Sequence, residues 1–166
     1  MLKAYFANGL FTEADRDFNA KVVKQLREEF PQLEIYLPQE NEAINDKSNF
    51  ASSFDIAIGD NDNLIDSDIL IAVLDGEVID PGVACEIGFA AAKGKRIIGL
   101  STDSRKHYRN ENPQKIESIY DACESQYHYK NLYVIGNVKI NGFVTESTEW
   151  LIEILKTIIE EVQNEG

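Results

Sequence analysis

The segment Asp68-Ile-Leu-Ile-Ala-Val-Leu74 constrains the fold more than any other part of the chain. It is an uninterrupted apolar run of strand length bounded by Asp68 and Asp75, and it leaves no face for water. A run of this kind is stable as a parallel strand covered by helices on both sides. The flanking sequence should therefore alternate strands with crossover helices.

The flanks follow that rule. Lys3-Ala-Tyr-Phe-Ala7 is β-prone and ends at Asn8-Gly9, after which Thr12-Glu-Ala-Asp15 has the capping-box pattern that opens a helix. Phe18, Val22, Leu26 and Phe30 recur at helical spacing up to Pro31, and Leu33-Glu-Ile-Tyr-Leu37 reads as the next strand. Glu40 to Lys47 reads as a polar loop. Phe50 to Leu64 carries a weak helical pattern through Phe54, Ile58 and Ile65. Asp80-Pro81 pairs a cap residue with proline at the first helical position, and Lys93-Gly94 marks the end of that helix. Arg96-Ile-Ile-Gly-Leu100 and Asn131-Leu-Tyr-Val-Ile135 read as further strands, and Trp150 to Val162 as a last amphipathic helix. The expectation is an α/β doubly wound parallel sheet of about five strands, with helices on both faces, in a single domain spanning 1–166.

Charge limits the partners. With 16 Lys+Arg against 29 Asp+Glu the net charge is -13, a field that repels nucleic acid and anionic membrane surfaces. No leader-like segment and no run of bilayer-spanning length is visible, so the expected location is cytoplasmic. Cys85 and Cys123 have no CxxC spacing, and only His107 and His128 could join them in a metal set, so both are expected to be reduced, buried thiols. No metal is expected.

In sheets of this type, ligands bind beyond the carboxyl ends of the strands. Three loops qualify: Ala7-Asn-Gly-Leu-Phe11, Asp75 to Gly82, and the segment after Ser101-Thr-Asp103. The first has one glycine and no following lysine, so it is neither a dinucleotide fingerprint nor a P-loop, and it also reads as a plain strand-to-helix turn. The second has no cation for a phosphate. Glu86 is the most unusual acid, placed in a helix of small and apolar residues, Val83-Ala-Cys-Glu-Ile-Gly-Phe-Ala-Ala-Ala92. It is either an anion kept in a partly dry pocket near a helix N-terminus or a carboxylate that emerges at the helix edge or meets a buried donor. Asp80 is either a plain cap or a second acid at the same pocket mouth. Asp60, Asp62, Asp66 and Asp68 taken alone read as a solvated helix end.

In combination these residues are more specific. Tyr5-Phe6-Ala7-Asn8-Gly9-Leu10-Phe11, then Asp60, then Asp68 to Asp75, then Asp80-x-Gly82-x-x-x-Glu86-x-Gly88 resembles the nucleoside 2-deoxyribosyltransferase family. The resemblance covers roughly positions 1 to 101 well and the remainder loosely. It implies a flavodoxin-like sheet and transfer of 2-deoxyribose between nucleobases, with Glu86 as the nucleophile that forms a glycosyl ester. It also implies that Tyr5 positions Glu86, that Asp60 exchanges a proton with the base (Asp62 if the register shifts), and that Asp80 holds the sugar hydroxyls. Gln39 falls near the family's base-contacting side chain, and Gly9, Phe11 and Gly82 lie in the substrate-lining segments. Asn131-Leu132 resembles a segment whose Asn reaches the sugar in a neighbouring subunit, which implies a homo-oligomer. Tyr133 departs from that segment's methionine, and the C-terminal helix departs from the family's usual ending. The implied partners are small-molecule deoxynucleosides and free nucleobases, with no cofactor. Hydrolysis of deoxynucleosides or their 5′-monophosphates, and non-catalytic nucleoside or nucleotide binding, are the alternatives.

Overall fold

The computed structural model describes residues 1–41, 51–105, 112–117 and 130–165. In chain order the elements are β1 (Leu2–Ala7), α1 (Glu13–Glu29), β2 (Leu33–Tyr36), a 3-10 turn (Pro38–Glu40), α2 (Ser53–Asp66) and β3 (Ile69–Val73). There follow α3 (Pro81–Ala92), β4 (Arg96–Leu100), α4 (Pro113–Glu117), α5 (Leu132–Asn141), β5 (Gly142–Thr145) and α6 (Thr148–Glu165). The five strands form one sheet in the order β2-β1-β3-β4-β5, every pair parallel, which is the flavodoxin-like arrangement.

Residue alternation along the strands builds two cores. Ala4, Phe6, Ile69, Ile71, Val73, Ile98 and Leu100 face one side, where Val22, Val23 and Leu26 of α1 and Leu151, Leu155 and Ile158 of α6 cover them. Tyr5, Ala7, Leu70, Ala72 and Ile97 face the other, under Leu64 of α2, Val83 and Ile87 of α3 and Val138 of α5. All five residues of β3 are buried, as its apolar run requires. Side chains such as Phe6 and Ile71, fully removed from water, each contribute about 1.5–3 kcal/mol of transfer free energy.

The helix ends match their sequence signals. Thr12 and Asp15 exchange the two hydrogen bonds of a capping box, and Ser52 with Asp55 does the same at the start of α2. Gly94, at φ +68°, ends α3 in the left-handed region.

Two expectations are corrected. Asn131 to Ile135 is the start of α5 rather than a strand, because the Asn131 side chain caps the backbone N–H groups of Tyr133 and Val134. Tertiary packing then overrides the β-prone sequence: Val138 is buried against β4, where Gly99 leaves the space. A Cβ at Gly99 would lie 2.7 Å from Leu74 Cδ1 and 3.2 Å from Val138 Cγ1. The fifth strand is Gly142–Thr145 instead, and its first residue approaches Ile97 so closely that a Cβ there would sit 1.9 Å from the Ile97 carbonyl oxygen. Second, Cys85 is exposed on α3, since it lies on the opposite side from Val83 and Ile87, while Cys123 lies outside the described residues. The helix expected near Phe50 to Leu64 is α2 (Ser53–Asp66); of the apolar residues on it, Phe54, Ile58 and Ile65 are exposed, and Leu64 is buried. Residues 42–47 of the expected polar loop lie outside the described residues. Among the described residues, no helix is long and apolar enough to cross a membrane.

Candidate active site

Two chain paths diverge at the carboxyl ends of β1 and β3, since β1 leads to α1 on one face and β3 leads to α3 on the other. This is the topological switch point at which open α/β sheets bind ligands. A cavity of about 350 Å³ occupies it, within the size range of small-molecule sites. One wall is Asn8, Gly9, Leu10 and Phe11 after β1, with Pro38 after β2. The other is Asp80, Gly82, Val83 and Glu86 of the α3 entry, closed by Ile56 and Asp60 of α2. A wider groove of about 560 Å³ beside β2 contains Lys3, Asp66, Asn41 and Tyr36, but these are tied to one another, Lys3 to Asp66 at 2.6 Å and Asn41 to the Tyr36 hydroxyl at 3.0 Å. Its acids are also ion-paired, Glu34 and Asp66 with Lys3 and Glu40 with Arg27, unlike the acids of the smaller cavity, whose described lining holds no cation.

Glu86 sits in the second turn of α3, on the flank that meets the sheet face bearing Tyr5. The Tyr5 side chain is fully buried, and its hydroxyl donates to Glu86 Oε1 at 2.6 Å. The Tyr36 ring packs on it at 5.2 Å between centroids. Burial pushes the Glu86 carboxyl up to about 7, the nearby charges of Asp60 and Asp80 push in the same direction, and the Tyr5 hydroxyl opposes them. Tyr5 itself is held firmly protonated, first by burial and then by the adjacent carboxylate. Asp60 is half-buried and also raised by burial, with the Tyr5 hydroxyl acting against the rise. Asp62 is exposed and lines no part of the cavity.

Asp80 does two things with two oxygens. Its Oδ1 accepts from the backbone N–H groups of Gly82 at 2.8 Å and Val83 at 3.1 Å, which caps α3. Its Oδ2 points across the cavity mouth toward Gly9, where a Cβ would stand 3.8 Å away. At Gly82 a Cβ would press on Asp80 Oδ1 at 3.0 Å, so a glycine suits the cap.

The structure thus gathers Asp60, Asp80, Glu86, Gly9, Phe11 and Gly82 around one cavity, with Tyr5 buried behind Glu86, and it leaves two expected residues elsewhere. Gln39 does not line the cavity: its Oε1 accepts from Asn19 at 3.0 Å and its Nε2 donates to the Arg16 carbonyl at 3.2 Å. Asn131 is exposed at the start of α5, outside the cavity of its own chain. At the entry to the third expected loop, Thr102 and Asp103 donate backbone N–H groups to Asp75 at 2.7 and 3.2 Å, and residues 106–111 of that loop lie outside the described residues. The expected loop Ala7-Asn-Gly-Leu-Phe11 supplies Asn8 and Leu10 to the lining, whereas sequence reasoning missed Pro38, Ile56 and Val83, ordinary residues in sequence that acquire a role through the topology alone. It also missed Asn19, although a polar residue on the stripe formed with Val22, Val23 and Leu26 was a legible signal.

A known family model covers most of this chain. The model for nucleoside 2-deoxyribosyltransferase matches residues 4–152. The chain belongs to that family. The family points to a nucleoside deoxyribosyltransferase-like enzyme acting at N-glycosidic bonds. A conserved protein from Enterococcus faecalis V583 is similar over 95% of this chain and 98% of its own, with 48% identity and a TM-score of 0.88. A 2-deoxyribosyltransferase from Leishmania mexicana shares the fold at 21% identity and a TM-score of 0.57, over 81% of this chain and 85% of its own. A CMP N-glycosidase from Clostridium botulinum shares it at 19% identity and a TM-score of 0.50, over 93% and 98%. No curated protein matched the sequence.

Proposed function

We propose that this member of the family transfers 2-deoxyribose from one nucleobase to another through a covalent ester on Glu86. The observation that carries the reading is the Tyr5–Glu86 pair at the cavity wall, 2.6 Å between the hydroxyl and Oε1. A hydrogen bond fixes one carboxylate oxygen and leaves Oε2, which accepts from no described residue, for attack on the anomeric carbon. The C1–N bond breaks as the C1–O bond forms, and its electron pair leaves with the base. Asp60, with a pKa raised by burial, is suited to hold the proton that the departing base takes up. The deprotonated Asp60 then accepts a proton from the incoming base, whose nitrogen displaces the Glu86 carboxylate. Two displacements retain configuration at C1. Asp80 Oδ2 is the acceptor available to a sugar hydroxyl.

The cavity wall favours an uncharged donor. Among its described lining residues, the charged ones are Asp60, Asp80 and Glu86, and none is Lys, Arg or His, so a 5′-monophosphate would find anions where it needs cations. 2-Deoxyribose has no 2-hydroxyl to withdraw electrons, and its glycosidic bond ionises readily through an oxocarbenium-like transition state. Incubating the protein with a deoxynucleoside and a second free base, followed by chromatography, tests the proposal. A new nucleoside is the expected product; free deoxyribose alone would identify a hydrolase, and unchanged substrate would refute both.

A further inference from the structure

Asn19 is one of three polar residues buried in the described core, with Ser67 and Thr145, and it lies on the inward stripe of α1 where an apolar side chain would ordinarily sit. Its amide is fully used. Nδ2 donates to the Gly9 carbonyl and to Gln39 Oε1, each at 3.0 Å, and Oδ1 accepts from Asn8 Nδ2 at 2.7 Å. Three turns of chain therefore meet at one buried side chain: the loop after β1, helix α1, and the 3-10 turn after β2. Arg16, on the same helix, donates to the Phe11 carbonyl at 2.8 Å and to the Leu10 carbonyl at 3.4 Å, and Gln39 closes the circuit on the Arg16 carbonyl.

We propose that Asn19 is a positioning residue that clasps the loop after β1 to the turn after β2, and so fixes the cavity wall opposite Glu86. The inference rests on the reading of this cavity as a nucleoside site. Gly9, Leu10, Phe11 and Pro38 all line the cavity, and none of them belongs to a regular strand or α-helix that would hold it in place. Three consecutive carbonyls, those of Gly9, Leu10 and Phe11, are instead held by side chains of α1. A buried, fully satisfied amide network specifies one arrangement of the groups it joins, because each alternative leaves a polar atom dry and unpaired. Gln39 acts here as a link of the clasp and not as a base contact.

The test compares Asn19→Ala with Thr145→Val, which removes a hydroxyl of similar burial from β5, outside the cavity. Two measurements are made well below each melting temperature: hydrogen exchange of the loop that follows β1, and deoxyribosyl-transfer kinetics across pH. Asn19→Ala should raise exchange in that loop and lower kcat/KM by about tenfold or more, mostly through KM, while the acid limb of the pH profile stays where it is because Glu86 and Tyr5 are untouched. Thr145→Val should leave both readouts within twofold of wild type. Unchanged loop exchange, or faster exchange with kcat/KM within twofold of an active wild type, would overturn the proposal. If the wild-type protein turns over no nucleoside, the functional reading fails by itself and the clasp is judged on exchange alone. Should Asn19→Ala fail to fold, Gln39→Ala, at a half-buried position, must give the same directions with smaller size.

Discussion

Glu86 keeps its proton up to about pH 7 because burial on α3 and the fields of Asp60 and Asp80 outweigh the hydrogen bond from Tyr5. A nucleophilic carboxylate must be ionised, so kcat/KM for transfer should rise with pH through about 7, an acid limb absent from an ordinary exposed glutamate. Tyr5→Phe removes the group that favours the anion while keeping the buried ring, and should move that limb to higher pH; a profile measured from pH 5 to 9 on both proteins checks this. Glu86→Ala should lower transfer about a thousandfold or more with the fold retained, as read by circular dichroism and product chromatography. The same pKa makes a stability prediction. In the native state the proton is bound more tightly than in the unfolded chain, whose glutamate titrates near 4.5, so the native state loses stability as pH rises from about 4.5 through 7. The loss is at most about 3 kcal/mol. Glu86→Gln cannot ionise, and its melting temperature relative to wild type should therefore climb between pH 5 and pH 8; a constant difference would contradict the buried-anion account.

At the scale of elements, α3 couples stability to chemistry through Asp80. Asparagine keeps the Oδ1 that caps Gly82 and Val83 but replaces the outward oxygen with an amide, so Asp80→Asn should hold its melting temperature and lose about 1.5–3 kcal/mol of substrate or transition-state binding. Melting and transfer measured on one preparation separate the two functions: unchanged transfer would leave Asp80 as a cap only. The legibility of each element follows the same local logic. Helices α1 and α3 could be read because their caps are short-range signals, and β3 because its burial on two faces leaves a continuous apolar run. By contrast α5 was misread, since Leu-Tyr-Val-Ile favours a strand locally and becomes helical only because Gly99 admits Val138 against the sheet. Glu86 was legible because a carboxylate among alanines is locally anomalous, whereas Asp60, taken alone a solvated helix end, stood out only in the combined family pattern. The rest of the neutral wall was not legible, because Pro38, Ile56 and Val83 are brought to the loop after β1 by crossovers, which is a long-range fact.

On the scale of the whole molecule, apolar surface remains that one chain does not cover. Phe11 at the cavity and Leu132, Tyr133 and Ile140 on α5 are each more than 80% exposed, more than scattered surface residues require. Asn131 begins that same α5 surface, with Oδ1 committed to the cap and Nδ2 left as the donor that could reach outward. This arrangement supports the proposal that Asn131 completes the site of a neighbouring copy in a homo-oligomer. Asn131→Asp retains the capping oxygen and removes the donor, so a chain carrying it should fold and assemble yet transfer poorly. Glu86→Ala chains are inactive for a different reason. When the two are unfolded together and reassembled, some interfaces pair an intact Glu86 from one chain with an intact Asn131 from the other, and activity should return to a sizeable fraction of wild type. The net charge of -13 makes copies repel, so assembly should strengthen as salt rises over the range where the screening length falls to about 10 Å and below. Light scattering across a salt series, read alongside transfer by the mixed chains, decides the matter. A protein that is fully active while monomeric would refute the shared site, and mixed chains no more active than either parent would remove Asn131 from it.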